Sequence, residues 1–127
     1  MQKLKFIEGK TVMSNRKGID NFDKLNFSAE LLDKNNKISG TIFGAAENTV
    51  NINYSSEPKG DPSSTFNTKT YQLKNGTINI SGFSNTPSNK VIKLAIVGGT
   101  GIYTGALGVE YTTIVNGIYF HKLLFEV

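Results

Sequence analysis

The chain of 127 residues contains no cysteine, a single histidine and a single arginine. The lack of cysteine excludes disulfides, thiolate metal ligands and a cysteine nucleophile. With His121 as the only histidine, just scattered carboxylates remain as metal ligands, so we expect no metal site. No apolar run approaches the roughly 18 residues of a membrane-spanning helix, and the first residues lack the apolar core of a signal peptide. We therefore expect a cytoplasmic protein without a membrane span.

The net charge of +4 comes from thirteen lysines spread along the chain and from Arg16. A nucleic-acid-binding protein more often clusters its basic residues and combines arginine with exposed aromatic residues. We therefore expect no nucleic-acid partner. The length is typical of one domain, residues 1–127, that can bury a core without disulfides.

Short segments in which apolar and polar residues alternate fill most of the sequence, and no window has a helical period. Asn-Gly pairs at 75–76 and 116–117 lie between such segments, which is a strong hairpin signal. Eight or nine short strands with these turns indicate an all-β, antiparallel barrel, whose closure removes exposed sheet edges. The predicted strands are residues 3–13, 25–31, 37–46, 50–54, 65–73, 77–83, 90–97, 109–115 and 118–127.

The alternation also predicts which side chains face the interior. Lys122 and Glu126 favour solvent, so Tyr119, His121 and Leu123 should face inward and Phe120 outward. In the first strand, Leu4, Phe6, Glu8 and Val12 share one face. Apolar residues on the outer wall suggest that a second copy of the chain covers it.

Five glycines interrupt the apolar sequence at residues 98–108 and predict a sharp corner. A dinucleotide-binding fingerprint would need a helix directly after the glycines and an acidic residue about 20 positions further on. The β-branched and aromatic segment at 109–115 follows instead. We therefore expect these glycines to allow a tight backbone turn and not to bind a phosphate group.

The corner sequence Leu94-Ala95-Ile96-Val97-Gly98-Gly99-Thr100-Gly101-Ile102-Tyr103-Thr104-Gly105-Ala106-Leu107-Gly108 resembles the allene oxide cyclase and dirigent superfamily. The resemblance implies an eight-stranded antiparallel barrel, usually a trimer, with an apolar cavity that guides reactive intermediates without a cofactor. Allene oxide cyclases close a fatty-acid epoxide to a cyclopentenone, and dirigent proteins steer phenoxy-radical or quinone-methide chemistry.

The cyclase branch also implies a cavity glutamate on the first strand, and Glu8 lies about where that residue would be. Its usual partners are missing, because Lys10 replaces an asparagine and no proline precedes Pro58. We therefore expect a relative with the same scaffold and a different cavity.

Two ionisable residues are candidate catalytic groups. Glu8, on an apolar strand face, is a candidate acid or base, and the alternative is a rim glutamate paired to Lys10 or Arg16. His121 is the second candidate, and the alternative is a hydrogen-bonded core or rim histidine. The candidate substrate-binding residues are aromatic, and each tyrosine can donate a phenol proton or simply pack: Phe6, Tyr54, Tyr71, Tyr111 and Tyr119.

These features favour a cofactor-free isomerase or cyclase that folds a small hydrophobic substrate, with Glu8 or His121 moving a proton. The alternative is a non-catalytic, lipocalin-like barrel that binds a lipid or secondary metabolite. A third hypothesis is a barrel filled by its own side chains, which predicts a cavity below about 300 Å³.

Overall fold

Eight antiparallel strands close into one barrel in the structure, a computed structural model. It describes residues 1–16, 24–48, 65–84 and 89–127. Each strand pairs with the next along the chain, and β8 pairs with β1, which confirms the predicted fold class. The predicted strand at 50–54, with Tyr54, lies outside the described residues. The strands are β1 (Gln2–Arg16), β2 (Lys24–Leu32), β3 (Ile38–Asn48), β4 (Thr65–Leu73), β5 (Gly76–Ser84), β6 (Ile92–Gly99), β7 (Leu107–Val115) and β8 (Ile118–Glu126).

The alternation in the sequence sets which face of each strand is buried. On β6, Leu94 and Ile96 are buried whereas Lys93 is exposed. On β8, His121 and Leu123 are buried, as predicted. Burial of such apolar side chains from seven of the eight strands, all except β7, supplies the main driving force for closing the sheet.

A β-bulge changes the alternation in the middle of β1. Glu8 is opposite Leu31 and Thr11 is opposite Ala29, so β1 holds one more residue than β2 over this stretch. An extra residue reverses the faces of all residues that follow it. Val12 is therefore 64% exposed, and its predicted position on the face of Glu8 is wrong.

The glycine corner closes one end of the barrel. After β6 the chain forms a short 3₁₀ helix, Gly101–Tyr103, which lies against the turn between β4 and β5. The Ile102 N–H donates to the Asn75 carbonyl at 3.1 Å. Gly101 has φ +61°, and a Cβ there would lie 2.2 Å from the same carbonyl oxygen, so glycine is required. The Tyr103 ring packs edge-on against Phe125, with 5.8 Å between ring centres.

The two ends of the barrel interior differ. The end near the glycine corner is filled by a packed apolar core. At the other end the inward side chains of the described residues leave a cavity. Side chains of the core are Phe6, Ala29, Leu31, Ile42, Tyr71, Ile78, Ile80, Leu94, Ile96, Ala106, Leu123 and Phe125. Among the helices of the described ranges, none has the length and apolar character needed to cross a membrane.

Candidate functional site

The cavity at the end of the barrel away from the glycine corner has a volume of about 930 Å³. This is well above the limit of about 300 Å³ that the filled-barrel hypothesis requires, so that hypothesis is not supported. Most of the wall surface is apolar, and Thr11, Thr65, Asn67 and Ser84 add polar groups to it. The apolar side chains of the wall are Met13, Leu25, Phe27, Ala46, Ile92, Leu94, Ile114 and Ile118. The polar residues Glu8, Lys69, Thr112 and His121 also line it, at the floor where the cavity meets the packed core.

Glu8 and His121 form a hydrogen-bonded pair at this floor. They come from the neighbouring strands β1 and β8, whose register places Phe6 opposite His121. His121 Nε2 lies 2.5 Å from Glu8 Oε2. The His121 side chain is only 1% exposed, whereas that of Glu8 is 9% exposed. Glu8 is therefore the member of the pair that an occupant of the cavity can reach.

Thr112 fixes the other side of the imidazole. It is the cross-strand partner of His121 on β7, and its Oγ1 lies 2.8 Å from His121 Nδ1. One hydrogen bond joins Nε2 to the Glu8 carboxylate, and a second joins Nδ1 to the Thr112 hydroxyl. Both ring nitrogens then have a partner, and the plane of the ring is held from both sides.

Beneath this pair, Glu110 on β7 is fully buried and was not predicted as a site residue. Its Oε1 accepts a hydrogen bond from Lys69 Nζ at 2.8 Å. The Tyr71 hydroxyl donates to its Oε2, and His121 Nδ1 lies 3.7 Å from the same oxygen. A buried carboxylate is costly unless it is paired and hydrogen-bonded, and these partners supply that compensation.

The environment shifts the pKa of two members of this cluster. Burial raises the pKa of Glu110, but the charges of Lys69 and His121 and the hydrogen bonds from Lys69 and Tyr71 outweigh it, so the pKa lies below its usual value. Burial, followed by the charge of Glu110, raises the pKa of Tyr71 well above its usual value. Glu110 is therefore a buried anion at neutral pH, and Tyr71 is a neutral donor.

The candidate aromatic residues lie in different places. Tyr119 lines the cavity, and its ring centre lies 6.4 Å from that of His121. Phe6 and Tyr71 belong to the packed core below the floor, where their ring centres are 5.9 Å apart. Tyr54 lies outside the described residues.

Tyr111 lies on the outer wall and not in the cavity, which corrects its predicted position. Lys122 Nζ and Lys93 Nζ lie 4.9 and 5.8 Å from the centre of its ring. The physical reason is the register of the β7–β8 hairpin, which pairs Tyr111 with the outward-facing Lys122 and turns its neighbours Glu110 and Thr112 inward. Among the described residues, no three histidine, aspartate or glutamate side chains come together as metal ligands would.

Solved structures of similar fold include several enzymes that act on small molecules. A pyocyanin demethylase shares 20% sequence identity with a TM-score of 0.75, covering 98% of this chain and all of that protein. A Diels–Alderase from Streptomyces koyangensis shares 13% identity with a TM-score of 0.73, and the match covers 98% of this chain and 63% of that one. A pterocarpan synthase dirigent protein shares 15% identity with a TM-score of 0.70, over 98% of this chain and 88% of that one. At sequence identities this low, the similarity to these structures shows a shared fold only.

The sequence itself carries the family assignment. None of the functionally curated proteins compared with the chain matches it. The family model of the allene oxide cyclase barrel-like domain matches residues 10–118, which include the second half of β1 from Lys10 and all of β2 to β7. The chain belongs to the allene oxide cyclase barrel-like family.

Proposed function

We propose that the chain is a cofactor-free isomerase or cyclase that binds a small hydrophobic molecule in the cavity of its barrel. The observation that carries the proposal is the Glu8 carboxylate, which lines a mainly apolar cavity and is hydrogen-bonded at 2.5 Å to a buried histidine. A carboxylate held in such a place has the geometry of a general acid or base. The similar structures named for a demethylase, a Diels–Alderase and a pterocarpan synthase support small-molecule chemistry in this kind of barrel.

In the proposed mechanism, the apolar wall holds a flexible substrate in a reactive conformation, which lowers the entropic part of the barrier. Glu8 takes a proton from the substrate or returns one to it. His121 is a positioning residue, because Glu8 and Thr112 occupy both of its ring nitrogens. It holds the Glu8 carboxylate in one orientation toward the cavity.

Binding in the cavity is tested with the uncharged fluorescent probe N-phenyl-naphthylamine. Its fluorescence should rise with the wild-type protein and much less with Ile114→Trp, which fills part of the cavity wall. Thr113→Trp is the matched control, because Thr113 precedes Ile114 on the same strand, is exposed, and pairs with the outward-facing Phe120. Equal probe binding by both variants and the wild type would contradict a cavity site.

Catalysis is tested by incubating the protein with pyocyanin, with a linear diene–dienophile compound and with other hydrophobic metabolites, followed by mass spectrometry and NMR. For any compound that is converted, Glu8→Gln should lower kcat by about 100-fold or more while binding persists. Glu126→Gln, on the exposed end of β8, is the control. Unchanged turnover by Glu8→Gln would remove Glu8 from the mechanism.

The second candidate function is a non-catalytic barrel that stores or carries a lipid or secondary metabolite. The mainly apolar wall favours it, because such a wall binds by burial alone. This function predicts that every bound compound is recovered chemically unchanged.

We also propose that copies of the chain associate, with a trimer favoured over a dimer, as the family resemblance implies. Three phenylalanines on the outer wall support this proposal: Phe43, Phe66 and Phe83 are each about half exposed. Phe66 and Phe83 are cross-strand partners, and adjacent exposed aromatic side chains of this kind are typical of surfaces that another protein covers.

A further inference from the structure

Lys69 is the cation at the cavity floor that the proposed mechanism does not use. Its side chain is 10% exposed and lines the cavity beside Glu8 and His121. Within the described part of the chain, its hydrogen-bonding and ion-pair partner is Glu110. An ammonium group carries three N–H donors. Among the described residues, Glu110 takes one of these donors and the other two can bind a molecule in the cavity.

Glu110 also fixes where this ammonium can lie. The carboxylate is fully buried and is held in turn by the Tyr71 hydroxyl, so it cannot follow the lysine toward solvent. The floor therefore presents a positioned cation on β4 and a carboxylate, Glu8, on β1. A donor placed before the ligand arrives needs little reorganisation to stabilise negative charge.

The charges at the floor decide what kind of oxygen Lys69 would bind. Two carboxylates, Glu8 and Glu110, already surround one ammonium and one imidazole. A ligand carboxylate would add a third anion near Glu8, and like charges in a partly dry site repel strongly. A carbonyl oxygen adds no charge on binding, yet it gains negative charge if the compound loses a proton. The cavity floor fits a neutral carbonyl group better than an anion.

We propose that the substrate is an uncharged, hydrophobic, conjugated carbonyl compound whose oxygen accepts a hydrogen bond from Lys69 Nζ. This inference rests on the proposed function and names the substrate class for that same cavity. Glu8 faces a carbon that is adjacent to the carbonyl group or conjugated with it.

The chemical step requires no co-reactant. The Glu8 carboxylate takes a proton from that carbon, and the electron pair of the broken C–H bond forms a carbon–carbon double bond. The carbonyl π electrons move to oxygen, which becomes an enolate beside Lys69. Glu8 then returns the proton to a different carbon, so the product is an isomer of the substrate. Alternatively, the enolate carbon closes a ring on a conjugated double bond before the proton returns.

The test uses benzylideneacetone and the diene in which a methylidene group replaces its carbonyl oxygen. Both compete with N-phenyl-naphthylamine for the cavity. In the double variant Lys69→Met with Glu110→Gln, no unpaired charge remains buried, so the barrel should still fold and bind the probe. The ratio of ketone to diene affinity should fall about tenfold in this variant, as expected for losing a hydrogen bond from a charged donor. Lys93→Met, on the outer wall, is the control and should keep the wild-type ratio.

A second measurement follows the chemical step directly. The methyl protons next to the ketone should exchange in deuterium oxide faster with wild-type protein than with buffer, as read by proton NMR. Glu8→Gln and the double variant should each lower this enhancement by at least about tenfold.

The outcomes separate this inference from the proposed function. If the probe binds but the affinity ratio is the same in wild type and double variant, the Lys69 inference is overturned and the cavity site remains. Failure of the ketone to displace a bound probe overturns it as well. If the probe itself does not bind, the proposed function fails and this inference fails with it.

Discussion

The Glu110 carboxylate and the Lys69 ammonium form an ion pair inside the barrel, with 2.8 Å between Oε1 and Nζ. The two side chains lie on β7 and β4, 41 residues apart in sequence. Glu110 is fully buried, whereas Lys69 reaches the cavity. The pair therefore links the packed core to the candidate site, and its strength should be visible in the pH dependence of stability.

Replacing Glu110 by Gln should destabilise the barrel most at neutral pH. The pKa of Glu110 is lowered in the folded state, so its stabilising contribution is complete above the unfolded pKa of about 4.3 and is lost as pH falls through the lowered folded pKa. We expect a loss of about 3 kcal/mol at neutral pH and a difference from wild type that shrinks in acid. Urea unfolding from about pH 7 to about pH 3 measures it. Glu126→Gln, at an exposed position, is the control. If the difference in stability between Glu110→Gln and wild type stays constant with pH, the lowered pKa of Glu110 in the folded state is contradicted.

Energetic coupling between Lys69 and Glu110 gives a second prediction. Each single change, Lys69→Met or Glu110→Gln, leaves the other group without its partner. The double variant should therefore lose less stability than the sum of the two, with a coupling energy of about 2 kcal/mol. Urea unfolding of all four proteins measures this. As a control, the losses of stability caused by Glu110→Gln and by Lys122→Met, on the outer wall, should simply add in the double variant. If the losses caused by Lys69→Met and Glu110→Gln also simply add, the buried ion pair is contradicted.

Thr112→Val should release one side of the His121 ring while keeping the shape of the side chain. Thr112 is buried, and the substitution removes the hydroxyl that lies 2.8 Å from Nδ1. Leaving a buried ring nitrogen unpaired should cost about 1 to 3 kcal/mol. Nitrogen NMR of the ring should also show a changed tautomer population. Thr113→Val, the exposed neighbour on β7, should be neutral. If Thr112→Val changes neither the stability of the protein nor the NMR spectrum of the His121 ring, Thr112 does not position that ring.

The sequence was sufficient to predict the barrel because its strands repeat one simple signal. Alternation identified the inward faces of β6 and β8, and the Asn-Gly pair at 116–117 predicted the last hairpin. In the structure Asn116 and Gly117 both have positive φ, as a type I′ turn requires. The bulge in β1 was not predictable in this way, because nothing in the alternation shows where one extra residue is inserted.

Glu110 was missed because β7 carries apolar residues on both faces, so its alternation is ambiguous. The turn of the β7–β8 hairpin would have been enough to predict the inward position of Glu110. A two-residue turn at 116–117 fixes the register, so Thr112 pairs with His121 and Glu110 pairs with Leu123. Cross-strand partners share a face. An inward His121 therefore requires an inward Glu110 and an outward Tyr111. The contact of Lys69 with Glu110 joins strands that are not neighbours, and no local pattern predicts it.

Association of copies can be tested at the pair of outer-wall phenylalanines. Phe66 on β4 and Phe83 on β5 are cross-strand partners, and each is about half exposed. If this wall is covered by another copy, replacing both by Lys should convert an oligomer to a monomer, because charge in an apolar interface is strongly unfavourable. Sedimentation velocity measures the mass. Val12→Lys, on the exposed face of β1, is the control. A wild-type monomer, or an oligomer that survives both changes, would contradict association through this wall.

The glycine corner gives the last prediction, because two of its glycines are in opposite situations. At Gly101 a side chain meets positive φ and a carbonyl oxygen only 2.2 Å from the Cβ position, so Gly101→Ala must strain the corner or displace it from Asn75. We expect a loss of about 2 kcal/mol or more. Gly98 has no atom within 4 Å of a Cβ and no positive φ, so Gly98→Ala should be neutral or slightly stabilising. Thermal and urea unfolding compare the two. Equal stability of the variants would mean that the corner tolerates side chains, and its glycines would then need an explanation other than backbone geometry.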